Sequence, residues 1–172
     1  MAIIVEDGTG KIDAESFASV VEADAYVAKW YGAHADWGVL DEAGKEVSLR
    51  RGTLFVGSRE YKGVKAVEDQ AQSWPRIYMG WIDGHYVDNS EMPVNIINAS
   101  IEAAVRDAEG EILFPDHYDQ RIASESKGVG PLTKKYTYEY GKEPGKTFES
   151  VEKLIRPFLK SGQNGTLERG IG

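Results

Sequence analysis

The 172 residues carry 28 acidic against 20 basic side chains, a formal charge of −8, and no cysteine. Such a length fits one ordinary domain with a real core, and the missing cysteines exclude disulfides and thiolate metal sites. The acidic balance repels phosphate, which counts against a free nucleic-acid binder unless a local basic patch overrides it.

The opening MAIIVEDGTG lacks the order of a signal peptide, and no apolar run approaches membrane-spanning length, so a soluble intracellular product is expected. Residues 2–6 form a short apolar start, an edge strand or an arm on a neighbouring subunit, before the turn-rich Asp7-Gly8-Thr9-Gly10. Ser19 and Glu22 have capping-box spacing, which predicts a helix over 20–30 with Ala23, Val27 and Trp30 or Tyr31 inward, closed by Gly32. After a loop through Trp37, Asp41 caps a second helix over about 42–61. Its buried row is Leu49, Thr53 and Val56, with Leu54 and Tyr61 at the margins. Gly44, Gly52 and Gly57 each cost this helix about 1 kcal/mol against alanine, so Gly52 or Gly57 is read as permitting close helix approach.

Residues 62–72 read as polar and irregular, with a short helical lead-in at 70–73. Trp74-Pro75-Arg76 follows, a tryptophan held extended by its proline and anchoring the loop on the helices. Residues 77–82 and 85–87 flank Asp83-Gly84, the dipeptide of a tight hairpin turn. The longest amphipathic stretch is 93–113, with Ile97, Ile101, Ala104, Val105, Ala108 and Ile112 on one stripe. Pro93 takes the first helical position and Pro115 stops the helix; Asn98, Glu102, Arg106, Asp107 and Glu109 lie off the stripe, facing water or a partner.

Residues 124–130 read as a loop, and 132–140 alternates as a strand. Leu132, Lys134, Tyr136, Tyr138 and Tyr140 share one face, opposite Thr133, Lys135, Thr137 and Glu139. Thr147 caps a last short helix with Phe148, Val151, Ile155 and Phe158 inward, ended by Pro157. The Gly-rich polar tail 161–172 orders only against a partner.

The fold expected is mainly α: a small bundle of about four helices with a β-hairpin and an extended C-terminal strand or arm. One domain spans 1–160, with a helical core over about 19–115 and a strand and helix over 124–160; 161–172 is a flexible tail. The core set is Ala23, Val27, Leu49, Val56, Trp74, Ile97, Ile101, Val105 and Ile112.

Chemistry is sparse. Asp116, His117 and Asp119 are the tightest cluster of metal-ligand types, read as a polar helix-exit loop because a divalent site needs further ligands. The Gly-rich pieces lack a phosphate loop's lysine, and no serine can be tied to a base. No catalytic residue, metal or cofactor is expected, and no enzymatic activity. Lys134 and Lys135 beside Tyr136 and Tyr138 come nearest to a single-strand-binding surface, with cations for phosphate and rings for bases.

Several pieces in order carry a family resemblance: Glu22-Ala23-Asp24-Ala25-Tyr26, Leu49-Arg50, Gln70-Ala71-x-x-Trp74-Pro75-Arg76, Asp83-Gly84, Met92-Pro93, and Val129-Gly130-Pro131-Leu132 running on to Tyr136. Over about residues 1–160 the chain resembles the phage-encoded DnaT-like single-stranded-DNA-binding family, whose members look like head–tail connector proteins. Its departures from the family pattern are Gly52, where alanine is more usual, and the loop 142–146. The resemblance implies a structural virion protein, an adaptor ring, typically a dodecamer, in the neck between capsid and tail. Its implied partners are further copies of itself, the portal, a tail terminator, stopper or tail-tube protein, and genomic double-stranded DNA passing without sequence-specific binding; no membrane is involved. Leu132, Tyr136, Tyr138, Tyr140, Phe158, Leu167 and Ile171 are the residues expected at inter-subunit or portal contacts. The other reading is a single-stranded-DNA-binding protein using Lys134, Lys135, Tyr136 and Tyr138.

Overall fold

The computed structural model describes residues 3–82, 84–87, 91–114, 124–129, 132–137 and 148–160. Near the N-terminus the chain folds back on itself, with Val5 bridging Ser16 in parallel. Glu6, 2% exposed, holds the intervening turn: its carboxylate accepts the backbone N–H groups of Gly8, Gly10 and Lys11 at 2.8–2.9 Å.

Helix α1 (Val20–Trp30) starts at its predicted capping box, with Glu22 N donating to Ser19 Oγ at 3.2 Å and Ser19 N to the Glu22 carboxylate at 2.7 Å. The stretch expected to be loop contains a one-turn helix, α2 (Ala35–Gly38), capped by His34. It seats the buried Trp37, whose Nε1 donates to Asp24 at 2.8 Å. Helix α3 (Glu42–Gly57) begins at the predicted Asp41 cap and stops before the expected Tyr61. Tyr61 instead turns into the core, its hydroxyl donating to Val56 O at 2.8 Å.

Two short strands, β1 (Val64–Lys65) and β2 (Arg76–Ile77), pair antiparallel across the segment expected to be irregular. Residues 70–73 are not helical, because the buried Gln70 side chain ties the loop in another shape. It accepts from Val67 N and donates to Gln72 O and Pro75 O. Strands β3 (Trp81–Ile82) and β4 (His85–Tyr86) form the predicted hairpin beside Gly84, which has φ +80°. Ile77 was expected in that hairpin but pairs with Val64.

Helix α4 (Val94–Ala108) follows, with Pro93 as its N-cap rather than its first turn. Two buried clusters lie on its flanks. Ile96, Ala99 and Ala103 belong to one, with Phe55, Tyr61 and Trp74; Ile101, Ala104 and Val105 belong to the other, with Val27, Trp37 and Leu49. A helix sandwiched in this way buries a wider arc than one resting on a single layer, so Ile96 is fully buried while Ile97 is only partly so. Ile112, expected in the core, is 64% exposed. The helix has ended by then in a Schellman motif: Gly110 N donates to Asp107 O and Glu111 N to Arg106 O, both at 3.0 Å, with Gly110 at φ +81°.

Close approach of α3 and α4 is set by Gly52, one of the two glycines read as permitting it. A Cβ there would stand 2.3 Å from Ser100 O and 2.7 Å from Ala104 N. Helix α5 (Glu149–Ile155) runs into a 3₁₀ turn, Arg156–Phe158, containing Pro157, and buries Val151, Ile155 and Phe158 as expected. The expected cap, Thr147, lies outside the described residues.

The contacts divide the chain into two compact units, Met1–Leu113 with Phe148–Gly172, and Phe114–Thr147. The second contains β5 (Ser124–Val129) and β6 (Leu132–Thr137), an antiparallel pair. Strand β5 stands where a loop is expected, since Ser-Glu-Ser-Lys-Gly-Val has no apolar alternation. The architecture is mainly α with small β-hairpins, as expected, and no described helix is long and apolar enough to cross a membrane.

Candidate nucleic-acid interface

Of the residues singled out for nucleic acid, Lys134, Lys135 and Tyr136 lie on β6; Tyr138 lies outside the described residues, as does Tyr140. In an antiparallel ladder, directly opposed positions share a face and successive positions alternate. The register pairs Lys127 with Lys134, Glu125 with Tyr136, and Ser126 with Lys135. By register the positions of Glu125, Lys127, Lys134 and Tyr136 therefore fall on one face of the ribbon, and Lys135 falls on the other with serine and threonine positions. Sequence reasoning missed Lys127, since nothing in its own segment marks a strand; only pairing places it beside Lys134.

Like charges directly opposed across a ladder destabilise it by roughly 0.2–1 kcal/mol. An anion at that position offsets the repulsion, so the opposed lysines with a tyrosine two positions along suit one phosphate and its neighbouring base.

In the larger unit most described cations are committed to carboxylates. Lys45 meets Asp24 at 2.8 Å, Arg59 meets Glu152 at 2.9 Å, and Arg106 meets Glu109 at 2.8 Å. Arg50 bridges Glu15 and Glu46 at 3.0 and 3.2 Å, and its hydrogen bond holds the Glu15 carboxyl below its ordinary range. Lys62, Lys65 and Arg76 differ, because their described partners are neutral carbonyls. Lys62 Nζ donates to Pro157 O at 2.9 Å and Lys65 Nζ to Gln70 O at 3.1 Å. The Arg76 guanidinium donates to Lys62 O, Ser73 O and Gly63 O at 2.8–3.0 Å.

Arg76 completes the Trp74-Pro75-Arg76 motif, whose task is structural as read. Trp74 is fully buried and meets Tyr61 and Phe158 edge-to-face at 5.4 and 5.6 Å, and the peptide to Pro75 is cis. Phe158 was expected at a contact between subunits. At 5% exposure it is spent on Trp74 within its own chain.

Glu102 also departs from expectation. Placed off the stripe by the sequence, it is 5% exposed and accepts the hydroxyls of Tyr26 at 2.8 Å and Tyr31 at 2.7 Å. Burial, and then these bonds to a carboxylate, push both phenols well above the ordinary tyrosine range. With their protons held this way the tyrosines lock α1 onto α4 rather than exchange protons. Among the described residues no group of His, Asp or Glu is placed to hold a metal. Asp116, His117 and Asp119 lie outside them, as do Leu167 and Ile171.

The features that point to a ligand are thus opposed lysine positions and carbonyl-bonded lysines in an acidic, mainly helical protein. A family model described as "Putative DnaT-like ssDNA binding protein" matches residues 1–170, and the chain belongs to that family. No curated protein and no solved structure matches it. The ordered motifs therefore pointed to the right family, but the head–tail connector role inferred with it is overturned: the family's description is single-stranded-DNA binding, not a joint of the virion neck.

Proposed function

We propose that this protein binds single-stranded DNA, using the Lys127/Lys134/Tyr136 face of the β5–β6 ribbon. The observation that carries the reading is the registered opposition of Lys127 and Lys134 beside Tyr136, in a chain of a DnaT-like single-stranded-DNA-binding family. A formal charge of −8 confines phosphate contact to such local patches. Affinity is then moderate and comes from few ionic contacts.

The test is fluorescence anisotropy of a labelled oligothymidylate over a salt series. Each phosphate contact on a single strand contributes about −0.7 to the slope of log K against log salt, so two or three cations give roughly −1.4 to −2. Lys127→Glu with Lys134→Glu is expected to flatten the slope by about 1.4. A flat titration of the intact protein at low salt refutes the proposal.

A further inference from the structure

The larger unit exposes three aromatic rings within nine residues of chain: Tyr78 at 79%, Trp81 at 73% and Tyr86 at 62%. Water-facing rings at this density have no role in the core, which Met79 and Ile82 from the same segment already serve. Trp81 and Tyr86 are the registered pair of the β3–β4 hairpin, their ring centroids 6.0 Å apart and tilted edge-to-face. Tyr78 holds φ +59°, a left-handed conformation that a bulky residue adopts only where its surroundings impose it.

Cations of the matching sign lie on the ladder that precedes these rings in the chain. The β1–β2 ladder that leads into the hairpin registers Lys65 opposite Arg76, again two cations across a ladder. Continuing that register sets Gly63 across from Tyr78, and Lys62 stands one residue further on. Lys62 and Lys65 donate only to backbone carbonyls among the described residues, so their charge is left for a phosphate. Glu68 and Asp69 are exposed on the turn beyond Lys65, which limits the cationic surface to these lysines and leaves most of the binding to the rings.

We infer that the β3–β4 hairpin is a base-stacking platform for single-stranded nucleic acid, Trp81 and Tyr86 with Tyr78 taking unpaired bases while Lys62 and Lys65 meet the intervening phosphates. Every base has a π face, so the platform is tolerant of sequence. This rests on the single-stranded-DNA reading above and adds a site to it.

The experiment compares the full chain with Trp81→Ala/Tyr86→Ala and with Lys127→Glu/Lys134→Glu, each titrated with the same oligothymidylate. Removing a stacked ring is expected to weaken binding roughly 5- to 150-fold per ring while leaving the salt slope unchanged, because no cation is lost. Both rings are exposed and the buried Ile82 is untouched, so the aromatic variant should melt like the parent. As an independent readout, Trp30→Phe leaves Trp81 as the exposed tryptophan, Trp37 and Trp74 being buried, and bound DNA should quench its fluorescence. Parental affinity in the aromatic variant, or binding without quenching, overturns the inference while the proposed function stands. Loss of self-association with DNA affinity unchanged overturns it too, assigning the rings to a second copy of the chain. No binding by the parent at low salt removes both.

Discussion

Replacing Gly52 with alanine tests the packing on which the rest of the larger unit depends. The added methyl would lie 2.3 Å from Ser100 O, 2.7 Å from Ala104 N and 3.1 Å from Ala104 Cβ. Two of these obstacles are α4 backbone, which cannot rotate aside as a side chain does, so α3 and α4 must separate by about 1 Å to restore ordinary contact. Overpacking of this kind costs roughly 1–3 kcal/mol, and the upper part of that range applies where backbone is the obstacle. Alanine returns up to about 1 kcal/mol of helix propensity. The net expectation is a loss of about 2 kcal/mol, a fall in melting temperature of roughly 4–8 °C for a chain this size. Thermal and urea unfolding followed by circular dichroism measure it, with Gly38→Ala as a control whose Cβ would meet nothing within 4 Å. Adding Ala104→Gly should rescue little, since it leaves both backbone obstacles in place. A Gly52→Ala protein as stable as its parent would refute the close-packed arrangement.

Glu102→Gln keeps an acceptor between the two phenols and should cost about 1 kcal/mol, whereas Glu102→Ala removes two charge-assisted hydrogen bonds and should cost about 3 kcal/mol or more by urea unfolding. Tyr26 and Tyr31 hold their protons more tightly in the folded state than at the ordinary tyrosine value of 10.0, through burial and then Glu102. The stability they contribute is therefore complete below pH 10 and is lost as the pH rises through the raised folded values. Melts taken below and above pH 10 should show a falling midpoint, and Tyr26→Phe/Tyr31→Phe should flatten that fall. Arg76→Ala frees three backbone carbonyls and should destabilise by about 2–4 kcal/mol, with Arg76→Lys recovering only part because an ammonium cannot span the same fork; equal melting of the lysine variant and the parent would count against this geometry.

Much of the architecture was legible in the chain because its signals are local. The Ser19–Glu22 box and the Asp41 cap act within one helical turn, and Gly84 needs only its own backbone to permit the hairpin. Gly52 was readable as a point of close approach because little else excuses glycine inside a helix. The order of short motifs carried the family, though not the function first attached to it. What hydrophobic pattern could not reveal is which neighbours arrive from far along the chain. Packing on both flanks made Ile96 core and left Ile97 partial, and a Schellman ending turned Ile112 to water. Glu102 is buried only because the hydroxyls of Tyr26 and Tyr31, more than seventy residues away in the chain, reach it. The candidate binding face shows the same division: Lys134 and Tyr136 stand out in their own strand, but Lys127 joins them through cross-strand register. Register is a relation between two segments, fixed by tertiary pairing rather than by the composition of either.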